Sequence, residues 1–279
     1  LAEIAISFSI PSRDAALLLA HLLGQSREWV LAHPEAELTP EQGERFTQLL
    51  EQAARGTPLP YLLGQWEFFG LNFKVTPDVL IPRPETELLV EEAIVISEQW
   101  AVNGEREQGA GDGSPFTVVD VGTGSGIIAV TLAVKLPKAE ILATDVSAAA
   151  LAVAKDNAKR HGVADRLKFI QCDFLEGVGR VNLICANLPY IPSAELASLP
   201  VAKHEPALAL DGGPDGLRLI ERLLASAGDH LLPGGVLLAE IAATQGEAAS
   251  LLARNYFPSA QVKVHKDLAG LDRLLEVGS

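Results

Sequence analysis

The stretch Val118-Val119-Asp120-Val121-Gly122-Thr123-Gly124-Ser125-Gly126-Ile127 decides the fold of this chain. A buried β-branched run ends near Asp120, three glycines alternate with Thr123 and Ser125, and an apolar helical pattern begins at Ile127. That order reads as strand, tight turn, helix start. Glycine reaches positive φ and lets backbone approach a ligand closely. The first turn of a helix presents free N–H groups to an electronegative partner. Gly122, Thr123, Gly124, Ser125 and Gly126 are therefore candidate binding residues. The alternating spacing is not the G-x-G-x-x-G of dinucleotide sites, and a tight turn with no ligand is the plain alternative.

Strand-like and helical runs alternate through this region, at 116–121, 127–136, 139–144, 148–161, 167–171 and 181–186. Further strands are expected at 235–240, 260–264 and 271–277. Such alternation predicts an α/β fold on a mostly parallel sheet, with any ligand at the carboxyl ends of the strands. Three more constellations lie at those ends. Asp145 closes the second strand about 20 residues after the glycine turn, where a carboxylate can accept both hydroxyls of a ribose; capping the helix that starts near Ser147 is the alternative. Asp173 and Phe174 follow the third strand and suit an adenine, one by accepting from its amine and the other by packing on its face. Asn187-Leu188-Pro189-Tyr190 follows the fourth strand. Asn187 offers an amide oxygen, Leu188 a carbonyl whose direction the following proline restricts, and Tyr190 a flat ring. Two acceptors beside an aromatic plane form a holder for a planar –NH2 group.

The N-terminal third has a different character. Helices are expected from Ser12 as N-cap to Leu23, stopped by Gly24; over 27–31 behind Ser26; and over 39–55, with Pro40 in its first turn and Gly56 ending it. A β-hairpin is expected over 66–75, where aromatics and Val75 bracket a Gly/Asn turn. A helix to about Trp100 and an exposed loop over 103–115 complete the reading.

Composition narrows the partners. The chain has 279 residues, 48% hydrophobic and 21% charged, enough for a large core and too ordered in character for a disordered chain. No apolar run reaches membrane-helix length, and the first residues lack the marks of a signal peptide. The two cysteines, Cys172 and Cys185, fit a reducing cytosol. No paired ligand spacing points to a metal. A net charge of −14 without a basic cluster disfavours nucleic acid.

At the four strand-end constellations the sequence resembles class I, S-adenosylmethionine-dependent methyltransferases of the N/D-P-P-Y type, which methylate planar amino groups. Further stretches resemble the release factor glutamine methyltransferase family. They are Gly56-Thr57-Pro58-Leu59-Pro60-Tyr61-Leu62-Leu63-Gly64, Phe68-Phe69-Gly70, Val79-Leu80-Ile81-Pro82-Arg83-Pro84-Glu85-Thr86-Glu87, Glu205-Pro206-Ala207-Leu208-Ala209-Leu210-Asp211-Gly212-Gly213, Asp215-Gly216-Leu217 and Asp267-Leu268-Ala269-Gly270.

The resemblance spans essentially the whole chain. It implies a Rossmann-like, mostly parallel seven-stranded sheet, preceded by a small helical domain and a β-hairpin. The implied division is a substrate-docking domain at 1–65, a hairpin linker at 66–83 and a methyltransferase domain at 84–279. The implied reaction is N5-methylation of the glutamine in the Gly-Gly-Gln loop of peptide chain release factors, with S-adenosylmethionine as donor and S-adenosylhomocysteine as product.

On this resemblance Asn187, Pro189 and Tyr190 form the catalytic motif, with Leu188 beside them on the substrate. Asp120, Gly122, Thr123, Gly124, Ser125, Gly126, Asp145, Asp173, Phe174 and Asn187 face the cofactor. Asp120 can either position the cofactor's amino-acid end or cap the glycine loop. Arg83 and Glu85 can shape the substrate mouth or pair with each other. Leu188 stands where the family usually has proline; its carbonyl survives the change, although Asn-Leu-Pro-Tyr also resembles the motif of RNA adenine dimethyltransferases. A ribosomal-protein glutamine and a nucleic-acid adenine are the alternative substrates. A cytoplasmic monomer with a protein partner and no membrane is the expected setting. Asn187→Asp keeps an acceptor of similar shape that can still take the N–H bond, so it should retain more turnover than Asn187→Ala.

Overall fold

The computed structural model describes residues 8, 10–106 and 115–278. The chain forms two compact units, 1–66 and 67–279. In the first, helices Ser12–Leu23, Arg27–Ala32 and Pro40–Ala54 are followed by a short one, Leu59–Leu63. Local chemistry sets their ends. Thr39 and Gln42 form a reciprocal capping box, the Ser26 hydroxyl accepts from the Trp29 N–H, and Gly24 closes its helix at φ 63°. Ser12 is not a cap: Pro11 holds that position and no side chain bonds there, so Ser12 is the first helical residue. Leu18, Phe46 and Leu50 centre a small apolar core.

The second unit begins within strand β1 (Gln65–Phe68), which pairs with β2 (Leu71–Lys74) as a hairpin. Its turn lies at Phe69-Gly70, both at positive φ, 52° and 74°, the backbone shape that matches the twist of two-residue hairpins. Helix Glu87–Arg106 runs past the expected stop at Trp100. Most of the expected 103–115 loop lies outside the described residues.

The main sheet has seven strands: β3 (Thr117–Val121), β4 (Glu140–Asp145), β5 (Leu167–Gln171), β6 (Val181–Ala186), β9 (Leu231–Glu240), β10 (Gln261–Lys266) and β11 (Asp272–Gly278). Their order is β10-β11-β9-β6-β3-β4-β5. Five of them, β9 to β5, run parallel, and β11 is antiparallel to both its neighbours. A further pair, β7 (Ile191–Pro192) with β8 (Asp211–Gly213), sits outside this sheet. All six residues of β6 are buried, as expected for a central parallel strand covered on both faces. Helices Arg218–His230 and Gly246–Tyr256, which the alternation did not single out, each bury one apolar side on this sheet, through Ile220, Leu223 and Ala249 among others.

Parallel register then sets the height of every strand end. Val121 pairs with Thr144 and Ala186, Asp145 with Gln171, and Ala186 with Ala239. Gly122, Asp145, Cys172, Asn187 and Glu240 consequently stand level along one edge of the sheet. The chain leaves β3 toward β4 on one side and has β6 on the other, which is the switch point where open α/β sheets leave a crevice. Both cysteines are free thiols. Among the described residues no helix is long and apolar enough to cross a membrane.

Candidate active site

A cavity of about 680 Å³ opens over those strand ends, within the size range of small-molecule and cofactor sites. The structure brings together there Gly122, Thr123, Gly124, Ser125, Asp145, Asp173, Phe174, Asn187, Leu188, Pro189 and Arg83. Asp120, Gly126, Tyr190 and Glu85 are not among its lining residues. Segment 77–83, read from sequence as linker, contributes one wall.

The glycine loop is held from beneath. Asp120 is fully buried, and its Oδ2 accepts from the Thr123 hydroxyl at 2.6 Å and the Ala129 N–H at 3.1 Å. Of the two readings of Asp120, these are the bonds of a loop cap. Its Oδ1 has no hydrogen-bond partner, and burial raises its pKa to about 7 against those two bonds. Gly126 is the N-cap of helix Ile127–Lys135 at φ 82°. Gly122, at φ 71°, is where a side chain would intrude: its Cβ would lie 3.1 Å from Leu188 Cδ2. The loop therefore needs glycine both for its backbone angle and for room beside the Asn187 motif.

Asp145 is tied on both oxygens, to the Gly124 N–H at 2.9 Å and the Ser147 N–H at 2.8 Å. The helix cap proper is Ser147, whose hydroxyl accepts from Ala150. Burial raises the Asp145 pKa, opposed by the backbone N–H groups of Ser147 and Gly124. A carboxylate has about four lone-pair sites, so it retains acceptor capacity beyond the N–H groups of Ser147, Gly124 and Val146. Asp173 pairs with Arg222 at 2.6 Å, and the Arg222 guanidinium lies 4.7 Å from the Phe174 ring centre. One face of Phe174 is thus already taken by a cation–π contact, and only the rest of the ring remains for a base.

Arg83 pairs with the buried Glu205 at 2.5 Å, not with Glu85, which is exposed. The second oxygen of Glu205 accepts from the Ile81 N–H at 2.9 Å. This anchors the wall 77–83 to the Pro206–Ala209 side of the cavity.

Two family models match the chain, the PrmC N-terminal domain over residues 5–64 and the methyltransferase small domain over 113–202. The release factor glutamine methyltransferase of Moorella thermoacetica is 44% identical over 266 residues, covering 94% of this chain and 89% of its own. That of Bordetella pertussis is 42% identical, covering 95% and 94%. The chain belongs to the release factor glutamine methyltransferase family. At the level of fold alone, it is similar to a methyltransferase from Pyrococcus furiosus, with TM-score 0.52, 16% identity and 86% and 98% coverage. It is likewise similar to the hMettl16 catalytic domain, with TM-score 0.56, 15% identity and 82% and 81% coverage.

In this family member the Asn187 amide is not solitary. Its Nδ2 donates to the buried Thr86 hydroxyl at 2.9 Å, and that hydroxyl donates to Glu240 Oε2 at 2.7 Å. The Tyr190 hydroxyl donates to Glu240 Oε1 at 3.3 Å. Burial raises the Tyr190 pKa well above its ordinary value and that of Glu240 to about 7. The backbone carbonyl of Tyr190 accepts from Gln245 at 3.1 Å. Sequence reading assigned no role to Thr86, Glu205, Arg222 or Glu240. The one signal for Glu240 was a lone acid ending the apolar run 236–239. For Thr86 the one signal is its place in the stretch 79–87 that resembles the family, which marks the segment but not the role, because a buried threonine resembles any helix-start residue.

Proposed function

We propose that this enzyme methylates the side-chain amide nitrogen of the glutamine in the Gly-Gly-Gln motif of peptide chain release factors, with S-adenosylmethionine as donor. The carrying observation is Asn187. Its amide nitrogen is committed to Thr86, while its oxygen has no hydrogen bond from the described residues and stands beside the cavity. That oxygen accepts one N–H of a substrate amide, and the Leu188 carbonyl accepts the other. Two such bonds fix the plane of the amide and load charge onto its nitrogen, which is otherwise a poor nucleophile because its lone pair is conjugated. Proton loss follows methyl transfer, so no strong base need be poised beforehand.

The cavity suits the donor. Gly122 leaves a cradle that a Cβ would fill, Asp145 offers acceptors for ribose hydroxyls, and Phe174 with Ile128 and Leu219 offers apolar surface for a base. Bound there, the donor supplies a methyl group already activated on a sulfonium centre. Asp120 acts indirectly by holding Thr123 and the helix start. Arg83, clamped by Glu205, shapes the mouth that the substrate crosses. The helical unit serves docking, since every lining residue lies at or beyond Pro77. The setting is the cytoplasm, with a protein partner.

The test supplies the full chain with labelled donor and, in parallel, a release factor, ribosomal proteins and RNA. Label on the release factor, lost when its Gly-Gly-Gln glutamine is replaced, is the expected result. Label on RNA or on ribosomal protein alone overturns the proposal.

A further inference from the structure

A carboxylate can only accept hydrogen bonds, and a hydroxyl has a single proton to give. Thr86 spends its proton on Glu240 Oε2 at 2.7 Å, so toward Asn187, at 2.9 Å, it presents only a lone pair. Just one end of the Asn187 amide can meet a lone pair, the –NH2 end. The reversed amide would set two oxygens against each other with no proton between them, beside a threonine that is 0% exposed. Tyr190 fixes the carboxylate from its other oxygen.

We propose that Thr86 and Glu240 are positioning residues, whose one-way chain of hydrogen bonds determines that Asn187 offers oxygen, not nitrogen, to the substrate amide. The inference rests on the reading that Asn187 accepts a substrate N–H, and extends it to two residues that line no part of the cavity. Ionised Glu240 is essential to the device. A protonated Glu240 could donate to Thr86, which could then donate to Asn187 and tolerate the reversed amide. Burial favours that neutral form, while the Thr86 and Tyr190 hydroxyls and the Arg273 charge favour the ionised one, with Glu85 opposing.

The experiment measures kcat and KM for release-factor methylation in full-length Thr86→Val, Thr86→Ser, Asn187→Ala and the Thr86→Val/Asn187→Ala pair. Calorimetric cofactor affinity tests the integrity of the cofactor site in each. Expected are a loss of roughly 10-fold or more in kcat for Thr86→Val, near wild-type kcat for Thr86→Ser, and no further loss when Thr86→Val is added to Asn187→Ala, because two residues acting as one unit are not additive. Because the ionised carboxylate is required, wild-type kcat should rise as pH passes through about 7, and Glu240→Gln should flatten that rise. Equal losses in Thr86→Ser and Thr86→Val, or a full additional loss in the double variant, overturn the relay while leaving the amide-holding role of Asn187 in place. Wild-type turnover in Asn187→Ala overturns that role, and the relay with it.

Discussion

The Asp145 carboxylate accepts the Gly124 N–H at 2.9 Å, so the end of β4 and the glycine loop after β3 are one mechanical unit. Asp145→Ala removes the proposed ribose acceptor and an anchor of the loop together. Cofactor affinity should fall by about 1.5–3 kcal/mol, the range for hydrogen bonds to a charged group. Asp145→Asn keeps one acceptor oxygen and should lose less. Titration calorimetry distinguishes them, and unchanged affinity in folded Asp145→Ala removes this residue from the site.

Asn187→Ala should lower kcat by roughly 100- to 1000-fold, the usual loss when a donor–acceptor contact that strengthens in the transition state is deleted. Cofactor affinity should stay near wild type. The proposed relay leads to the opposite expectation for Asn187→Asp. A carboxylate there would face the Thr86 lone pair, one hydroxyl away from Glu240. At neutral pH it should turn over no faster than Asn187→Ala, and steady-state kinetics on both variants decides between the simple-acceptor view and the relay.

Gly216 sits at φ 79°, and a Cβ there would lie 2.3 Å from the Tyr190 carbonyl oxygen and 2.6 Å from Gln245 Nε2. Backbone cannot yield as a side-chain tip can. Gly216→Ala should cost about 1–3 kcal/mol or more and displace the loop after β6. A lowered melting temperature together with reduced kcat is the expected pair of readouts; an unshifted melt shows that the loop is free to move.

Asp120 and Glu240 both have folded-state pKa values raised by burial to about 7. Unfolded, they ionise near 4, so at intermediate pH the folded chain holds protons that the unfolded chain has released. Their contribution to stability is complete below about pH 4 and is lost as pH rises through about 7. Asp120→Asn keeps an acceptor for Thr123 and Ala129 and removes one of the two titrations. Denaturant melts from about pH 5 to about pH 8 should show a shallower fall for this variant than for the wild type.

Leu188→Pro restores the family's usual residue. Leu188 is 6% exposed and packs in the core beneath the site, so the exchange should cost a little stability. Turnover should stay within a few-fold of wild type, because the carbonyl that accepts is retained. A large loss of kcat with intact cofactor binding would show that the side chain itself positions the substrate.

Much of this protein was legible in one dimension. The periods of its apolar residues and the glycines after β3 are local signals, so they determined the elements, the parallel sheet and the strand-end residues Asp145 and Asn187. Local caps such as Thr39 with Gln42 were equally readable. Ser12 was misplaced by one position because proline can end the preceding chain without any side-chain cap. The tertiary structure decided what those strand ends meet. Thr86 lies 101 residues before Asn187, and Glu240 lies 154 residues after Thr86. Only the register of β6 beside β9 brings Asn187 and Glu240 level. The polarity of a hydrogen-bond chain belongs to all its members at once. Sequence therefore determined that an amide stands at the strand-end edge lining the cavity, and the packing of two distant segments decided which groups it meets there.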